Sequence, residues 1–403
     1  MTIVIASGGL FARSASAENW TPIGPPSISW HSIASSSDGS KLAAMSWSSS
    51  YTSTNYGITW FAQSNPVGNP FPCLFAVALS ADGNKLAATF PFANPGAVFT
   101  STNGGVNWVS NSVPGKNFIA IASSADGNRL VTVVGATPSM ALGSVVSGPI
   151  FLSTNSGVTW EHTSAPDEIW SCVASSADGT RLAAATIGLT PEGYLAPTGM
   201  VYVSNDSGAT WFQTSAPTNN VWAAIACSAD GTKIVAAGIS IYSSTDSGLT
   251  WVSNNVPVTF WQAVTVSADG SKWAAVDQFG RFYNSTNLGA SWTSNSIPDQ
   301  PISAMAASAD GNRLVVVNGF GGIGMYVSQT TPAPLLNIAQ TEGGQGLSWL
   351  IPSTNFVLQQ NHDLSTTNWT DVTNAPVLNL TNLQNQVILS PFGSNAFYRL
   401  KTP

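Results

Sequence analysis

Residues 118–160 read FIAIASSADGNRLVTVVGATPSMALGSVVSGPIFLSTNSGVTW. Two short apolar runs, Phe118 to Ser123 and Leu130 to Val134, flank Asp126-Gly127. Asp-Gly between such runs is a tight-hairpin signal. A third run, Pro149 to Leu152, leads into Ser153-Thr154-Asn155-Ser156-Gly157-Val158-Thr159-Trp160, and a fourth extends from Trp160 to Pro166. The segment therefore predicts a four-stranded antiparallel meander.

The unit recurs along the chain. Asp-Gly pairs stand at Asp38, Asp82, Asp126, Asp178, Asp230, Asp269 and Asp310, each followed by a basic residue: Lys41, Lys85, Arg129, Arg181, Lys233, Lys272 and Arg313. Alternating with them is the pattern Ser-x-Asp/Asn-x-Gly-x-x-Trp, complete at Ser53–Trp60, Ser101–Trp108, Ser153–Trp160, Ser204–Trp211, Ser244–Trp251 and Ser285–Trp292. In this Ser–Trp box the polar side chains are suited to accept hydrogen bonds from their own turn. The glycine supplies positive φ and the tryptophan an apolar anchor. The motif fixes a hairpin; it carries no chemistry. Repeated four-stranded units predict an all-β fold, a β-propeller.

Closure is also legible. Trp20 precedes Asp38 by eighteen residues, the spacing of Trp108 from Asp126 and of Trp160 from Asp178, so Trp20 starts an outer strand. The last unit runs through Met325-Tyr326-Val327-Ser328 and ends without its own tryptophan. The two ends together complete one blade, and pairing them removes the exposed edges of an open array. The expectation is seven four-stranded antiparallel blades closed by the N- and C-terminal strands.

The six boxes resemble those of the BNR or Asp-box superfamily, over about residues 18–331. Its members include sialidases, xyloglucan hydrolases, sortilin-type receptors and photosystem-assembly factors. The resemblance implies a propeller; one fold serves many activities. A sialidase of this superfamily carries an arginine triad, a Tyr-Glu nucleophile pair and an acid-base Asp. Of the six arginines here, Arg129, Arg181 and Arg313 occupy the repeated basic position, Arg13 and Arg399 lie outside the propeller, and only Arg281 remains. No triad can be assembled. The related xyloglucan hydrolases use a cleft between two propellers, and one is present here.

Composition narrows the partners. Charged residues make up 8% of the 403, hydrophobic residues 43%, and the formal net charge is -7 with twelve Lys plus Arg, so no basic stripe exists to neutralise a phosphate backbone. Nucleic acid is excluded on that ground, and no run of apolar residues after the N-terminus is long enough for a helical membrane span. Thr2 to Ala12 is weakly apolar and Ala15-Ser16-Ala17 has the form of a signal-peptidase site, although the charged n-region is missing. This predicts a leader over 1–17 and a secreted or surface-displayed protein; the alternative is an N-terminal tail. Cys73, Cys172 and Cys227 have neither disulfide-framework nor metal spacing, and His31, His162 and His362 are scattered, so no metal or cofactor is expected.

Alternating hairpins put the Asp-Gly turns and boxes on one face, and the blade connections and second-to-third-strand loops on the other. The second face varies, with insertions at Pro91–Gly96, Ala136–Gly148 and Gly188–Gly199, and function is expected there. Asp167, Glu168 and Glu192 are candidate catalytic carboxylates for a glycoside hydrolase or polysaccharide lyase, with solvated loop acids as the alternative. At the start of each inner strand the series Trp30, Leu74, Phe118, Trp170, Trp222, Trp261 and Ile302 includes five aromatics. Trp30, Phe118, Trp170, Trp222 and Trp261 are the candidate ligand contacts, stacking at the channel mouth, unless they pack between blades. The leading expectation is a non-enzymatic propeller binding a glycan or an extracellular protein.

After Thr331-Pro332-Ala333-Pro334, a stiff linker, short strand-like runs such as Leu347-Ser348-Trp349 and Phe397-Tyr398-Arg399-Leu400 alternate with turn residues. They predict a β-sandwich over 335–403, resembling fibronectin-type and related C-terminal modules of large secreted bacterial proteins. The propeller is assigned 18–330 and the linker 331–334.

Overall fold

A computed structural model describes residues 20–24, 29–46, 49–63, 75–91, 97–115, 117–136, 146–190, 195–277, 279–298, 301–319, 324–329, 336–341, 344–350, 357–362, 368–374, 376–379, 384–389 and 396–401. The expected leader over 1–17 and linker over 331–334 lie outside these residues.

Asp-Gly and Ser–Trp turns divide the chain into strands as the repeat requires. After β1 (Trp20–Ile23), blade 1 comprises β2 (Trp30–Ser35), β3 (Leu42–Ser46), β4 (Ser50–Ser53) and β5 (Phe61–Ala62). Blade 2 comprises β6 (Val77–Leu79), β7 (Leu86–Phe90), β8 (Ala97–Ser101) and β9 (Val109–Ser112). Blade 3 comprises β10 (Phe118–Ser123), β11 (Leu130–Val134), β12 (Ile150–Ser153) and β13 (Glu161–His162). In blade 4, β14 (Trp170–Ser175), β15 (Leu182–Thr186), β18 (Val201–Ser204) and β19 (Phe212–Gln213) are interrupted by a hairpin, β16 (Gly188–Leu189) and β17 (Leu195–Ala196). Blade 5 comprises β20 (Ala224–Cys227), β21 (Ile234–Ala237), β22 (Ile241–Ser244) and β23 (Val252–Ser253). Blade 6 comprises β24 (Trp261–Val266), β25 (Trp273–Asp277), β26 (Arg281–Ser285) and β27 (Thr293–Ser296). Blade 7 takes β28 (Ile302–Ala307), β29 (Arg313–Asn318) and β30 (Met325–Gln329), and its fourth strand is β1.

The closing register pairs Trp20 with Ser328, Pro22 with Tyr326 and Ile23 with Met325. Trp20 also meets Phe282 of blade 6 edge-on at 5.2 Å. The outer strands are shorter than the sequence suggests: the fourth run of blade 3 pairs only over Glu161–His162. An outermost strand has one partner and no neighbouring blade to hold it, so pairing stops once twist carries it off.

Inner strands pack in the order β2, β6, β10, β14, β20, β24 and β28, and β28 returns to β2. A backbone circuit locks this ring. The N–H of Ser37 donates to Ala81, Ala81 to Ala125, Ala125 to Ala177, Ala177 to Ala229, Ala229 to Ala268, Ala268 to Ala309, and Ala309 to Ser37, at 2.6–2.9 Å. The circuit has seven members, which sets the blade number.

A second ring reinforces it. Each repeated basic side chain lays its stem over the glycine of the next Asp-Gly turn, from Lys41 over Gly83 to Arg313 over Gly39. A Cβ added at Gly83 would meet Lys41 at 2.8 Å, and φ there is +65°, so both space and backbone call for glycine. The polar heads finish the clasp: Lys41 donates to Asn84, Lys85 to Asn128 and Ser156, Arg129 to Ser207, and Arg181 to the Asp230 carbonyl. Arg313 closes it across the chain ends, donating to the Tyr56 carbonyl at 2.6 Å with its guanidinium over the Tyr56 ring.

In the C-terminal region β31 (Asn337–Thr341), β32 (Gly344–Leu350), β36 (Gln384–Leu389) and β35 (Val377–Asn379) make one sheet. A second holds β34 (Thr370–Asp371), β33 (Val357–Asn361) and β37 (Phe397–Lys401). Leu347, Trp349, Leu358, Val387, Leu389, Ala396 and Tyr398 form one buried core drawn from both, the mark of a small β-sandwich.

Candidate functional site

At the Asp-Gly end, polar groups are consumed by the fold. In each turn a serine hydroxyl bonds the aspartate and takes the backbone N–H of the basic residue, as Ser80 does for Asp82 and Lys85. Burial alone would raise the Asp82 carboxyl, but hydrogen bonds from Ser80 and Asn84, with the charge of Lys41, outweigh it and hold the group below its ordinary range. In the Ser–Trp boxes the serine hydroxyl takes the glycine N–H, as at Ser53 and Gly57, and the Asp or Asn takes the N–H four residues on. Thr250 and Ser244 saturate Asp246 and lower its carboxyl to about 2. This face is a closed structural circuit.

The aromatic crown is not where a ligand can reach it. Trp30, Phe118, Trp170, Trp222 and Trp261 are each 0% exposed. They are wedged between blades, and the expectation of stacking at the channel mouth is corrected to inter-blade packing. Trp30 meets Tyr51 edge-on at 5.7 Å, Trp170 meets Tyr202 at 5.3 Å, Trp222 meets Tyr242 at 5.9 Å, Trp261 meets Tyr283 at 5.4 Å, and Phe118 meets Phe151 at 5.9 Å. Each pair spans the first and third strands of one blade. Beside the insertions the indoles hold the loops: Trp170 Nε1 donates to Gly148 and Trp222 Nε1 to Gly199. A sequence signal for this existed. Two residues before each box serine stand Tyr51, Phe99, Phe151, Tyr202, Tyr242 and Tyr283, with Tyr326 in the last unit, a second aromatic series in phase with the first.

The candidate acids have separate partners. Asp167 is largely exposed, 3.9 Å from His162 Nε2 on the outer strand β13. Glu168 turns toward the Tyr202 hydroxyl of β18, and its backbone bridges Gly148. Burial raises the Glu168 carboxyl, and the nearby Tyr202 hydroxyl only partly offsets this. The two neighbouring side chains therefore diverge. Glu192 lies outside the described residues.

The variable face holds a constellation that the repeat does not explain, between blades 5 and 6. Asp277, at the end of β25, has a wholly buried side chain. Its Oδ1 takes the N–H groups of Phe279 and Arg281 at 2.9 Å, capping the turn. Its Oδ2 takes Arg281 Nε at 2.6 Å and the Thr259 hydroxyl at 3.2 Å. Arg281 Nη2 donates to Thr259 at 2.6 Å, while the side chain stays 49% exposed. Its guanidinium carbon lies 5.7 Å from the ring centroid of Phe279, which is 52% exposed, and Val258, 75% exposed, precedes Thr259 in the chain. Beneath, Ala136, Ile187 and Val221 with Ile169, Ile239 and Phe260 form an apolar seam under the loops of blades 3 to 6. Asn220 anchors that seam, its Oδ1 taking the Val221 and Ile239 N–H groups.

The first and last strands of the propeller both have their outer ends at the opposite face. Trp20 pairs with Ser328, and Gln329 pairs with Arg313, directly after Asp310-Gly311.

These features define the class of the molecule: a closed β-propeller carrying a small β-sandwich. No family model and no curated protein matches the chain. Among solved structures it is similar to YCF48 bound to a D1 peptide, at 12% identity and a TM-score of 0.57, over 79% of this chain and 98% of that one. It is similar to YCF48 from Cyanidioschyzon merolae, at 15% and 0.57, over 78% and 99%. It also resembles a GH74 xyloglucanase from Xanthomonas campestris, at 13% and 0.57, over 83% of this chain and 59% of that one. Likeness at such identities establishes the propeller fold. Among the described residues no helix is long and apolar enough to cross a membrane.

Proposed function

We propose that this is a binding propeller that takes a peptide or protein segment on its variable face. The observation that carries the reading is the asymmetry of the ring. One end is saturated by seven-fold clasps and holds the outer ends of the propeller's first and last strands, whereas the other carries the insertions and the off-repeat Asp277–Arg281 pair beside exposed apolar groups. Propellers of this shape serve both ligand classes, since one neighbour is bound to a peptide and another is a xyloglucanase. Burial of the five crown rings removes the stacking platform a sugar would use, which favours the peptide.

The test is retention on the immobilised full chain of a capped peptide library and, in parallel, a glycan array. Retained peptides that a variable-face variant releases are expected. Retained glycans with no retained peptides would overturn the reading. The rival is a glycan-active enzyme working through Glu168, whose raised carboxyl meets the Tyr202 hydroxyl beside an insertion. Polysaccharide cleavage abolished by Glu168→Gln would establish it.

The same proposal includes export, supported by a surface made polar by Ser, Thr and Asn and by the cleavage-type Ala15-Ser16-Ala17. Mass analysis of the protein recovered outside cells should find Glu18 as the first residue.

A further inference from the structure

Three departures from the seven-fold rule meet at one place. The first is Arg281. The seven repeated basic residues lie against the next blade's glycine at the Asp-Gly end, whereas Arg281 stands at the start of a third strand on the variable face. The positions in phase with it are Ser49, Ala97, Pro149, Met200, Ser240 and Gly324, none of them charged.

The second is Asp277. The residue paired with the first position of the inner strand is Ser46, Val134, Thr186 or Asn318 in blades 1, 3, 4 and 7, and only blade 6 places a carboxylate there. Turn capping does not demand a charge, because Ser46 caps its own turn by taking the Ser49 N–H. Burying the Asp277 carboxylate costs desolvation that its pairing with the half-exposed Arg281 has to offset, so a neutral residue would serve stability about as well. What the carboxylate adds is orientation: with Thr259 it fixes the guanidinium in one pose.

The third departure is apolar. Among the described residues, Val258 and Phe279 are the exposed large hydrophobics of the variable face: the Arg281 guanidinium carbon lies 5.7 Å from the Phe279 ring centroid, and Val258 is the chain neighbour of Thr259, to which Arg281 donates.

We infer that Arg281, Phe279 and Val258 form a subsite for an acidic side chain flanked by an apolar one within an extended peptide, an inference that rests on the peptide-binding reading above. A guanidinium has five N–H donors in a planar fork. Nε is spent on Asp277 and one Nη2 hydrogen on Thr259, so the outward edge is open to a carboxylate in the bidentate geometry. The apolar neighbour of that carboxylate rests on Phe279 and Val258. A side-chain carboxylate fits better than a chain terminus because a terminus is held by a nest of backbone N–H groups, and those of Phe279, Gly280 and Arg281 are all spent on Asp277.

The probe is a random peptide library acetylated at one end and amidated at the other, panned on the full chain. Glu or Asp adjacent to Leu, Ile, Val or Phe should be enriched, and an enriched peptide should bind about tenfold more weakly after Glu→Gln. Arg281→Gln strands Asp277 in the interior and risks the fold, so the informative variant is Asp277→Asn with Arg281→Gln, which keeps a capping side chain and removes both charges. It should abolish the acidic preference while other retained peptides stay bound. Enrichment without an acidic preference, or an acidic preference that survives the double variant, overturns the subsite and leaves the peptide-binding face standing. Uncapped peptides that bind only through a free carboxyl end would assign Arg281 to a terminus and overturn the side-chain assignment. A library in which no peptide is retained overturns the peptide-binding reading itself, and the subsite with it.

Discussion

At the Asp-Gly end of the ring, Ser36, Ser80, Ser124, Ser176, Ser228, Ser267 and Ser308 all bond their own aspartates, and each basic residue grips the next turn. At the other end nothing repeats so closely. Blade 4 carries a hairpin, blade 6 a buried ion pair, and the loop glycines Gly148 and Gly199 hang on tryptophan side chains. The contrast separates two kinds of information. Features copied into every blade serve the contact between blades, which is the same problem seven times over. Features present once have no such problem to solve, and ligand chemistry is sought among them. The crown rings show how strict the rule is: they sit at the variable end but recur, and they prove to be packing.

That assignment can be broken most forcefully at Trp222. Its side chain is fully buried between blades 4 and 5 with Ala185, Val201 and Ile225, and its Nε1 holds Gly199. Truncation to Ala should cost about 3–5 kcal/mol, read as a lowered urea midpoint. A ligand-stacking tryptophan would behave the other way, leaving stability nearly unchanged while binding disappeared. Trp222→Phe should recover only part of the loss, because one aromatic ring returns while the smaller side chain leaves a cavity and the Gly199 hydrogen bond is gone.

Acid titration distinguishes the two ends by window. His31, second residue of β2 at the variable end, stacks on Phe75 at 5.6 Å, and burial lowers its imidazole to about 4. The unfolded chain takes up a proton below about pH 6.5 and the folded chain does not, so stability falls as pH drops from about 6.5 to 4 and the loss levels off below that. Allowing for partial solvent access, the loss is roughly 2 kcal/mol. At the Asp-Gly end the sign is the same and the window lower. The lowered carboxyls of Asp126, Asp178, Asp230 and Asp269 contribute above the ordinary aspartate value and lose that contribution only as pH falls below about 4. His31→Gln should therefore flatten the upper window and leave the lower one. The difference between the two profiles also cancels the raised carboxyls of Glu168 and Asp310, which work in the opposite sense. An unchanged upper window in His31→Gln would place the acid-sensitive group elsewhere.

Much of the fold was legible because repetition amplifies weak signals. One Asp-Gly pair is a poor predictor, but seven in phase, with Trp20 displaced to the wrong end of the chain, specify a closed ring and even its β1–β30 seam. The site was less legible for the same reason. Trp30 and Trp222 stood out as large aromatics near a channel, and their burial depends on Tyr51 and Tyr242 across the blade, a relation visible only when the two series are read together. Arg281 was reached by elimination as the arginine the repeat left over. Nothing in the sequence spacing showed that Thr259, from the preceding connection, would complete its cradle, because that contact crosses from one blade to the next.

The smallest effect bears on what repetition is for. The fourth box position is left-handed in every blade that has a box, with Tyr56, Ser156, Ser207, Ser247 and Leu288 at φ between 58° and 63° and glycine only at Gly104, φ +70°. A left-handed non-glycine residue costs about 1–2 kcal/mol, while glycine adds roughly 0.5–1 kcal/mol of unfolded-chain entropy, so Ser247→Gly should stabilise by about 0.5–1 kcal/mol. Ser207→Gly relieves the same backbone but removes the hydroxyl that accepts the Arg129 clasp at 2.9 Å. A surface hydrogen bond to a charged donor is worth about as much as the relief, so Ser207→Gly should be close to neutral. Midpoints from one set of urea titrations compare the two directly. If Ser207→Gly gained as much as Ser247→Gly, the polar head of the Arg129 clasp would carry no weight, and that junction of the ring would rest on the arginine stem over Gly179, the backbone circuit and the packing of the aromatic pairs.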